Sequence, residues 1–349
     1  MNKLGIYVHF PFCRSKCGYC DFYSKSCTDG FFTDYTRSLI RSIVAFKPNA
    51  EGYTVDTVYF GGGTPSLMSM GEFSAIRRAI RPYGLDSLSE FTFEANPGTV
   101  SFEKLRHLRF WGVDRLSFGL QSGVDSELAT LGRIHTSSEA ADAFGLARRA
   151  GFENISLDLI YGIPGQTKES LDRSIDLALS LSPEHISFYG LKIEPGTPFF
   201  GRYTEDDDLQ AELYLHGAER LKAAGYEHYE VSNFARPGFR SKHNMRYWTL
   251  EEYIGFGPSA HSLFKGRRFY HPNDLESFSS EIEEGPFEPE KEYIMLGLRT
   301  SDGIKKELLT DAQKAVLKKY SPYVIDSGES ISLNAEGWLI SNRIISELI

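Results

Sequence analysis

The residues best equipped for chemistry crowd together near the start of the chain. The run Phe10-Pro11-Phe12-Cys13-Arg14-Ser15-Lys16-Cys17-Gly18-Tyr19-Cys20 holds three of the four cysteines within eight residues. A loop spaced C-x3-C-x2-C, with Gly18 to let it curl, can aim three thiolates at one small object and leave a fourth corner without a protein ligand. An iron–sulfur cluster with one open iron fits that description. Two other uses compete: a zinc site completed by His9, and reduced structural thiols. Against zinc, His9 falls on a predicted strand and no second cysteine pair of zinc-knuckle kind follows. Cys27, seven residues past the loop, reads as a small buried hydrophobe with no ligand role.

The elements that position this loop are legible in the hydrophobic pattern. Residues 4–9 form a short apolar strand running directly into it, and Asp29–Lys47 is apolar at helical spacing through Phe32, Tyr35, Leu39, Ile43 and Phe46. Strands follow at Val55–Phe60, Phe91–Glu94, Arg115–Phe118, Ile155–Ile160 and Ile186–Leu191, separated by helices at Met70–Tyr83, Ser101–Phe110, Ser137–Ala150 and Lys168–Leu181. Six apolar strands divided by helical stretches predict a parallel sheet of βα units. In such sheets the carboxyl ends of the strands share one face and carry the chemistry. The expected fold is therefore α/β: a partial (β/α)6 barrel over residues 1–225, open on one side, ending in a helix at Glu205–Ala224.

Each strand ends in a polar or glycine-bearing motif. Gly61-Gly62-Gly63-Thr64-Pro65 lets backbone approach a ligand closely, although a tight turn would use the same residues. Glu94, Gln121 and Asp158 stand at or just past the ends of the third, fourth and fifth strands. A carboxylate there faces solvent or a polar ligand, because burial without a partner is costly. Singly, each reads as an exposed loop side chain; together they make a ligand cradle.

The pattern Cys13-x3-Cys17-x2-Cys20, with an aromatic just before the last cysteine, resembles the signature of the radical S-adenosylmethionine (SAM) superfamily. The resemblance implies a [4Fe-4S] cluster on Cys13, Cys17 and Cys20, whose open iron is chelated by SAM. It further implies SAM contacts from Tyr7, Tyr19, Gly62, Gly63, Thr64, Glu94, Gln121, Arg133 and Asp158. Arg133 would supply a cation for the SAM carboxylate; otherwise it reads as a surface arginine. Within the superfamily, Ile6-Tyr7-Val8-His9-Phe10-Pro11-Phe12-Cys13 and Asp158-Leu159-Ile160-Tyr161-Gly162-Ile163-Pro164-Gly165-Gln166-Thr167 resemble the oxygen-independent coproporphyrinogen III oxidase group. That group includes decarboxylating oxidases and a branch of heme chaperones of the HemW type.

Two departures separate this chain from the oxidases. They carry a further cysteine two residues after the third ligand, where Phe22 stands here, and an extension before the first strand, where only Met1-Asn2-Lys3 is present. Both speak against coproporphyrinogen oxidase activity. His243-Asn244-Met245-Arg246-Tyr247-Trp248 matches the H-N-x-x-Y-W motif associated with heme in the chaperone branch. Imidazole can ligate heme iron, and Tyr247 and Trp248 can pack on a macrocycle. The competing use is structural, with the aromatics at a domain interface and His243 bonded locally. The resemblance thus implies a heme chaperone that delivers heme to an acceptor hemoprotein, such as a respiratory one, with a flavodoxin or ferredoxin as electron donor. His261 and His271 read as local structural residues.

Composition bounds the remainder. The formal charge of −9, without a Lys/Arg block, excludes a nucleic-acid surface. Few cysteines and no apolar leader or bilayer-length run predict a cytoplasmic protein with no transmembrane segment, leaving peripheral membrane contact open. Residues 226–280 form a connecting region carrying the hexapeptide. Glu281–Lys291, with five Glu and two Pro, reads as a solvated linker. It opens a smaller α+β domain over 281–349, winged-helix-like, with helices at Tyr293–Arg299 and Lys305–Tyr320 and a hairpin pairing Ile331-Ser332-Leu333 with Trp338-Leu339-Ile340.

Overall fold

The computed structural model describes residues 2–26 and 32–349. Cys27 and the first residues of the helix expected from Asp29 lie outside them. Alternation along the strands builds the architecture. Leu4, Ile6, Val8, Val58, Phe60, Phe91, Phe93, Leu116, Phe118, Ile155, Leu157, Ile186 and Phe188 point to one face and join the main hydrophobic core. The covering helices supply its other half, with Leu39, Ile43, Phe73, Ile76, Leu105, Phe144, Leu171, Ile175 and Leu213. Residues of opposite parity, among them Thr57, Tyr59, Glu90, Thr92, Glu94, Arg115, Ser117, Ser156, Asp158, His185 and Ser187, line the inner face. Because side chains alternate along a strand, the apolar set packs under helices while the polar set faces a lumen.

The six strands Asn2–Phe10, Tyr53–Gly62, Glu90–Ala95, Arg115–Gln121, Asn154–Tyr161 and His185–Gly190 lie parallel and in chain order. This is the expected open (β/α)6 half-barrel. The sheet continues past both ends to twelve strands. Tyr253–Phe256 runs parallel beside the first strand, pairing Gly5 with Tyr253 and Val8 with Phe256. Beyond it come three antiparallel strands, His261–Phe264, Arg267–Tyr270 and the two-residue Ile282–Glu283, the last lying within the segment read as a linker. On the far side Asn233–Ala235 pairs antiparallel with the sixth strand.

A second hydrophobic cluster gathers Ile294, Leu298, Ile304, Leu309, Leu317, Ile331, Leu333, Trp338 and Ile344, with Tyr293 and Val231 packed against it. Two expectations fail here. The hairpin is absent: Ile331 and Leu333 pair with Ile304 and Val324, and Ala335–Leu339 is helical. The Asn334 side chain accepts from Gly337 N, capping that helix, and the Trp338 indole donates to Leu298 O at 2.9 Å. The residues read as a turn are thus an N-cap. The helix expected over Lys305–Tyr320 starts at Asp311, because Thr310 and Gln313 form a capping box.

Candidate functional site

The first strand delivers the cysteine loop to the carboxyl end of the half-barrel, where backbone contacts hold it. Gly63 N donates to Phe10 O at 2.7 Å and Thr64 N to Phe12 O at 2.8 Å, so the glycine motif clamps the loop's entry. Gly18 N donates to Leu131 O at 3.2 Å, anchoring its middle. At Gly63 a Cβ would lie 2.5 Å from Phe12 O, so only glycine allows this approach. Gly62 has φ +106° and lies against the His9 ring, where a Cβ would also collide.

Cys13, Cys17 and Cys20 are free, partly exposed thiols lining one cavity of about 460 Å³ at the barrel mouth. Thr64 Oγ1 lies 3.6 Å from Cys13 Sγ, and Arg133 Nη1 lies 3.6 Å from Cys17 Sγ. Burial pushes the Cys20 thiol up to about 11. Among the described residues no three His, Cys, Asp or Glu side chains converge on a single ion. A cluster in which each thiolate binds a different iron does not need them to. His9 is no fourth ligand for zinc. Its Nδ1 is paired with Tyr7 OH at 3.1 Å and its Nε2 with Tyr23 O at 3.0 Å, and burial lowers it to about 4.

The same cavity is lined by Tyr19, Gly62, Gly63, Thr64, Glu94, Gln121, Arg133 and Asp158, brought together from four strand ends, the cysteine loop and the segment after the helix Asp125–Leu131. Tyr7 is the expected SAM contact that does not line it; its hydroxyl is turned to His9. Glu94 accepts from Tyr59 OH at 2.6 Å and from Gly62 N at 3.3 Å. Burial raises its carboxyl to about 7 against those bonds, with Asp158 adding to the rise. Asp158 is likewise raised by burial and accepts from Ser117 Oγ at 3.1 Å. Gln121 has φ +67°, a strained backbone that ends its strand at the cavity wall. Arg133 Nη2 donates to Gly119 O at 2.9 Å, while its Nε, buried, has no partner.

The hexapeptide forms a helix, Lys242–Trp248, seated in the lower lumen. Glu90 draws it in, accepting from Ser241 Oγ, Lys242 N and His243 N at 3.3, 2.8 and 3.0 Å. Arg246 forms a buried ion pair with Asp56 and donates from Nε to Thr57 Oγ1 at 3.0 Å. His243 is 0% exposed, with Nδ1 bonded to Thr57 Oγ1 at 2.9 Å and Nε2 to Tyr247 OH at 2.9 Å. Burial lowers its pKa to about 3, so the ring is neutral. Both nitrogens are committed, and iron ligation by His243 would require the helix to leave its seat. Of His243, Asn244, Tyr247 and Trp248, only Asn244 reaches the cavity. In this structure the hexapeptide is a plug at the amino ends of the strands, with Asn244 alone of the four turned to the cavity.

Sequence reasoning missed Tyr59, Arg115, Ser117 and Tyr189, which also line the cavity. Period-two alternation placed them on the inner face of predicted strands, the one available signal.

Comparison with known proteins agrees with this geometry. Residues 7–178 match the Radical SAM superfamily. The heme chaperone HemW of Bacillus subtilis is 34% identical over 98% of this chain and 98% of its own length. That of Mycobacterium tuberculosis (strain H37Rv) is 38% identical over 100% of this chain and 95% of its own. The chain belongs to the HemW family of radical SAM proteins. Among solved structures, the coproporphyrinogen III oxidase HemN of Escherichia coli superposes with a TM-score of 0.83 at 20% identity, covering 99% of this chain and 90% of its own. At that identity the likeness establishes the HemN-like fold. No helix among the described residues is long and apolar enough to cross a membrane.

Proposed function

We propose that this HemW-family chain is a heme chaperone that holds a [4Fe-4S] cluster and SAM at the barrel mouth, binds heme beside them, and passes it to an acceptor hemoprotein. One observation carries the reading. Three free thiols, the Gly62–Thr64 backbone, Glu94, Gln121, Arg133 and Asp158 share one cavity. Cys13, Cys17 and Cys20 would ligate three irons. When bound, the cluster would supply a low-potential electron to SAM. Arg133 would pair with the SAM carboxylate, Glu94 and the Gly62 region would receive its amino group, and Gln121 and Asp158 would accept from its remaining donors. Tyr7 would act through His9 and the glycine motif it packs on.

Heme would lie at the open side of the mouth, where Phe22 is 62% exposed beside the cysteine loop. Asn244 would contact ligand from below; His243, Tyr247 and Trp248 would support heme binding through the floor they build. The names of the relatives support heme and an acceptor hemoprotein as partners. A flavodoxin or ferredoxin is the donor class proposed, and the cytoplasm the compartment.

The test is anaerobic reconstitution of the full chain with iron and sulfide. Iron and sulfide content, SAM binding by calorimetry and hemin transfer to an apo-hemoprotein are then measured. Failure to bind hemin refutes the chaperone reading. Conversion of coproporphyrinogen III to protoporphyrinogen IX with release of CO2 would favour the oxidase instead, an outcome that Phe22 speaks against.

A further inference from the structure

Two arginines are buried in the lumen, and their environments differ. Arg246, 2% exposed, is satisfied on every side: it pairs with Asp56 and donates to Thr57 Oγ1 and, at 3.1 Å, to Glu252 O. Arg115, at the start of the fourth strand and also 2% exposed, is not. Its one hydrogen bond among the described residues is a 3.5 Å contact from Nη1 to Thr92 Oγ1, and its Nε has no partner. A guanidinium carries five N–H donors, so most of this group's capacity is unused. None of the described carboxylates stands within ion-pair distance of it. Those nearby are engaged elsewhere: Glu90 caps the plug helix, Glu94 holds Tyr59 and Gly62, and Asp158 accepts from Ser117.

Attraction to Glu90 and Asp158 at longer range keeps the guanidinium charged, but its N–H donors still lack direct partners. Arg115 also lines the mouth cavity, so the group that completes it can arrive from there. Arg14, Lys16, Arg133 and Lys192 also line the cavity, and Arg133 sits at the level of the cysteines, 3.6 Å from Cys17 Sγ. The cavity thus presents cations at two levels, and one small carboxylate ligand occupies only one of them.

We propose that Arg115 is the receptor for a second carboxylate, distinct from that of SAM, and that this carboxylate is a propionate of the bound tetrapyrrole. The assignment of the propionate rests on the heme-chaperone reading. Arg115 anchors an acidic edge of the ligand toward the cavity floor, while the macrocycle lies against exposed apolar side chains at the mouth, Phe22 and Ile134.

The full chain, reconstituted anaerobically, is titrated with hemin, hemin dimethyl ester and SAM as wild type, Arg115→Gln and Arg115→Lys. A lost charge-assisted hydrogen bond weakens binding about tenfold to hundredfold. Hemin affinity should fall by that factor in Arg115→Gln and recover in part in Arg115→Lys. The dimethyl ester should bind wild type and Arg115→Gln alike, and SAM affinity should stay within about twofold. Ligand-free Arg115→Gln should melt close to wild type, since the desolvation relieved by removing the buried guanidinium offsets its lost longer-range attraction to Glu90 and Asp158. Equal hemin affinity in wild type and Arg115→Gln overturns the inference and leaves the chaperone reading standing. So does an equal loss for hemin and its ester, a parallel loss of SAM, or a marked drop in ligand-free melting. Absence of hemin binding by wild type overturns both.

Discussion

If the hexapeptide is a plug, His243→Ala should act on the ligand-free protein. The substitution removes two buried hydrogen bonds, leaving Tyr247 OH without its partner and Thr57 Oγ1 with Arg246 alone. An unsatisfied buried group costs about 1–3 kcal/mol, and the emptied imidazole space adds a cavity term. A loss of about 2–4 kcal/mol follows, or about 3–5 °C in melting temperature for a chain of this size. The sign with pH is also fixed. Burial lowers His243 to about 3, so its contribution is fully present above the unfolded value near 6.5 and is lost as pH falls toward 3. The gap between wild type and His243→Ala should narrow over that window. Thermal melts of both proteins at several pH values, with and without hemin, measure this. Hemin binding by the variant should weaken while its absorption spectrum keeps the wild-type shape. A variant that melts like wild type yet loses the spectral signature of an iron ligand would refute the plug and make His243 the ligand.

Other outcomes follow from the mouth. With Glu94 held at about 7, its ionised fraction rises about tenfold from pH 6 to pH 8. SAM titrations should therefore tighten over that range more in wild type than in Glu94→Gln, the variant controlling for titration of the SAM amine itself; equal pH profiles would remove Glu94 from the site. Folding stability should run the opposite way, because the raised Glu94 stabilises below about 4.5 and loses that contribution as pH passes 7. Gly63→Ala forces a Cβ against Phe12 O and should cost about 1–3 kcal/mol while lowering iron content after reconstitution, read by melting and iron analysis. Serine at Cys13, Cys17 or Cys20 should abolish the cluster's visible absorption with little change in the ligand-free melt, since all three thiols are partly exposed.

The half-barrel was legible because period-two apolar strands and helical spacing are local signals, and strand ends place Glu94, Gln121 and Asp158 by counting. What sequence reasoning missed depends on distant partners. Lys242–Trp248 is short and mixed in polarity, and becomes a buried helix only because Glu90, Thr57 and Asp56, far away in sequence, receive it. Arg115 reads as an ordinary strand-opening charge; its isolation exists only once the neighbouring carboxylates are seen to be engaged. Near the C-terminus the miss was local: Asn334-Ala335-Glu336-Gly337 suits a turn and an N-capped helix equally, and the Trp338 contact with Leu298 decides.

The division between an apolar outer face and a polar lumen bears on the order of synthesis. The strand carrying the cysteine loop leaves the ribosome first, but its neighbour Tyr253–Phe256 and the plug Lys242–Trp248 come more than two hundred residues later. Until then the first strand has an unpaired edge and the lumen is open from below. The plug adds nothing to the main hydrophobic core, whereas the late strand supplies Ile254 and Phe256 to it, so the core is completed only when that strand docks. A nascent chain stalled before residue 242 would therefore lack part of its core and leave uncovered Glu90, Thr57 and Asp56, the groups that later receive the plug.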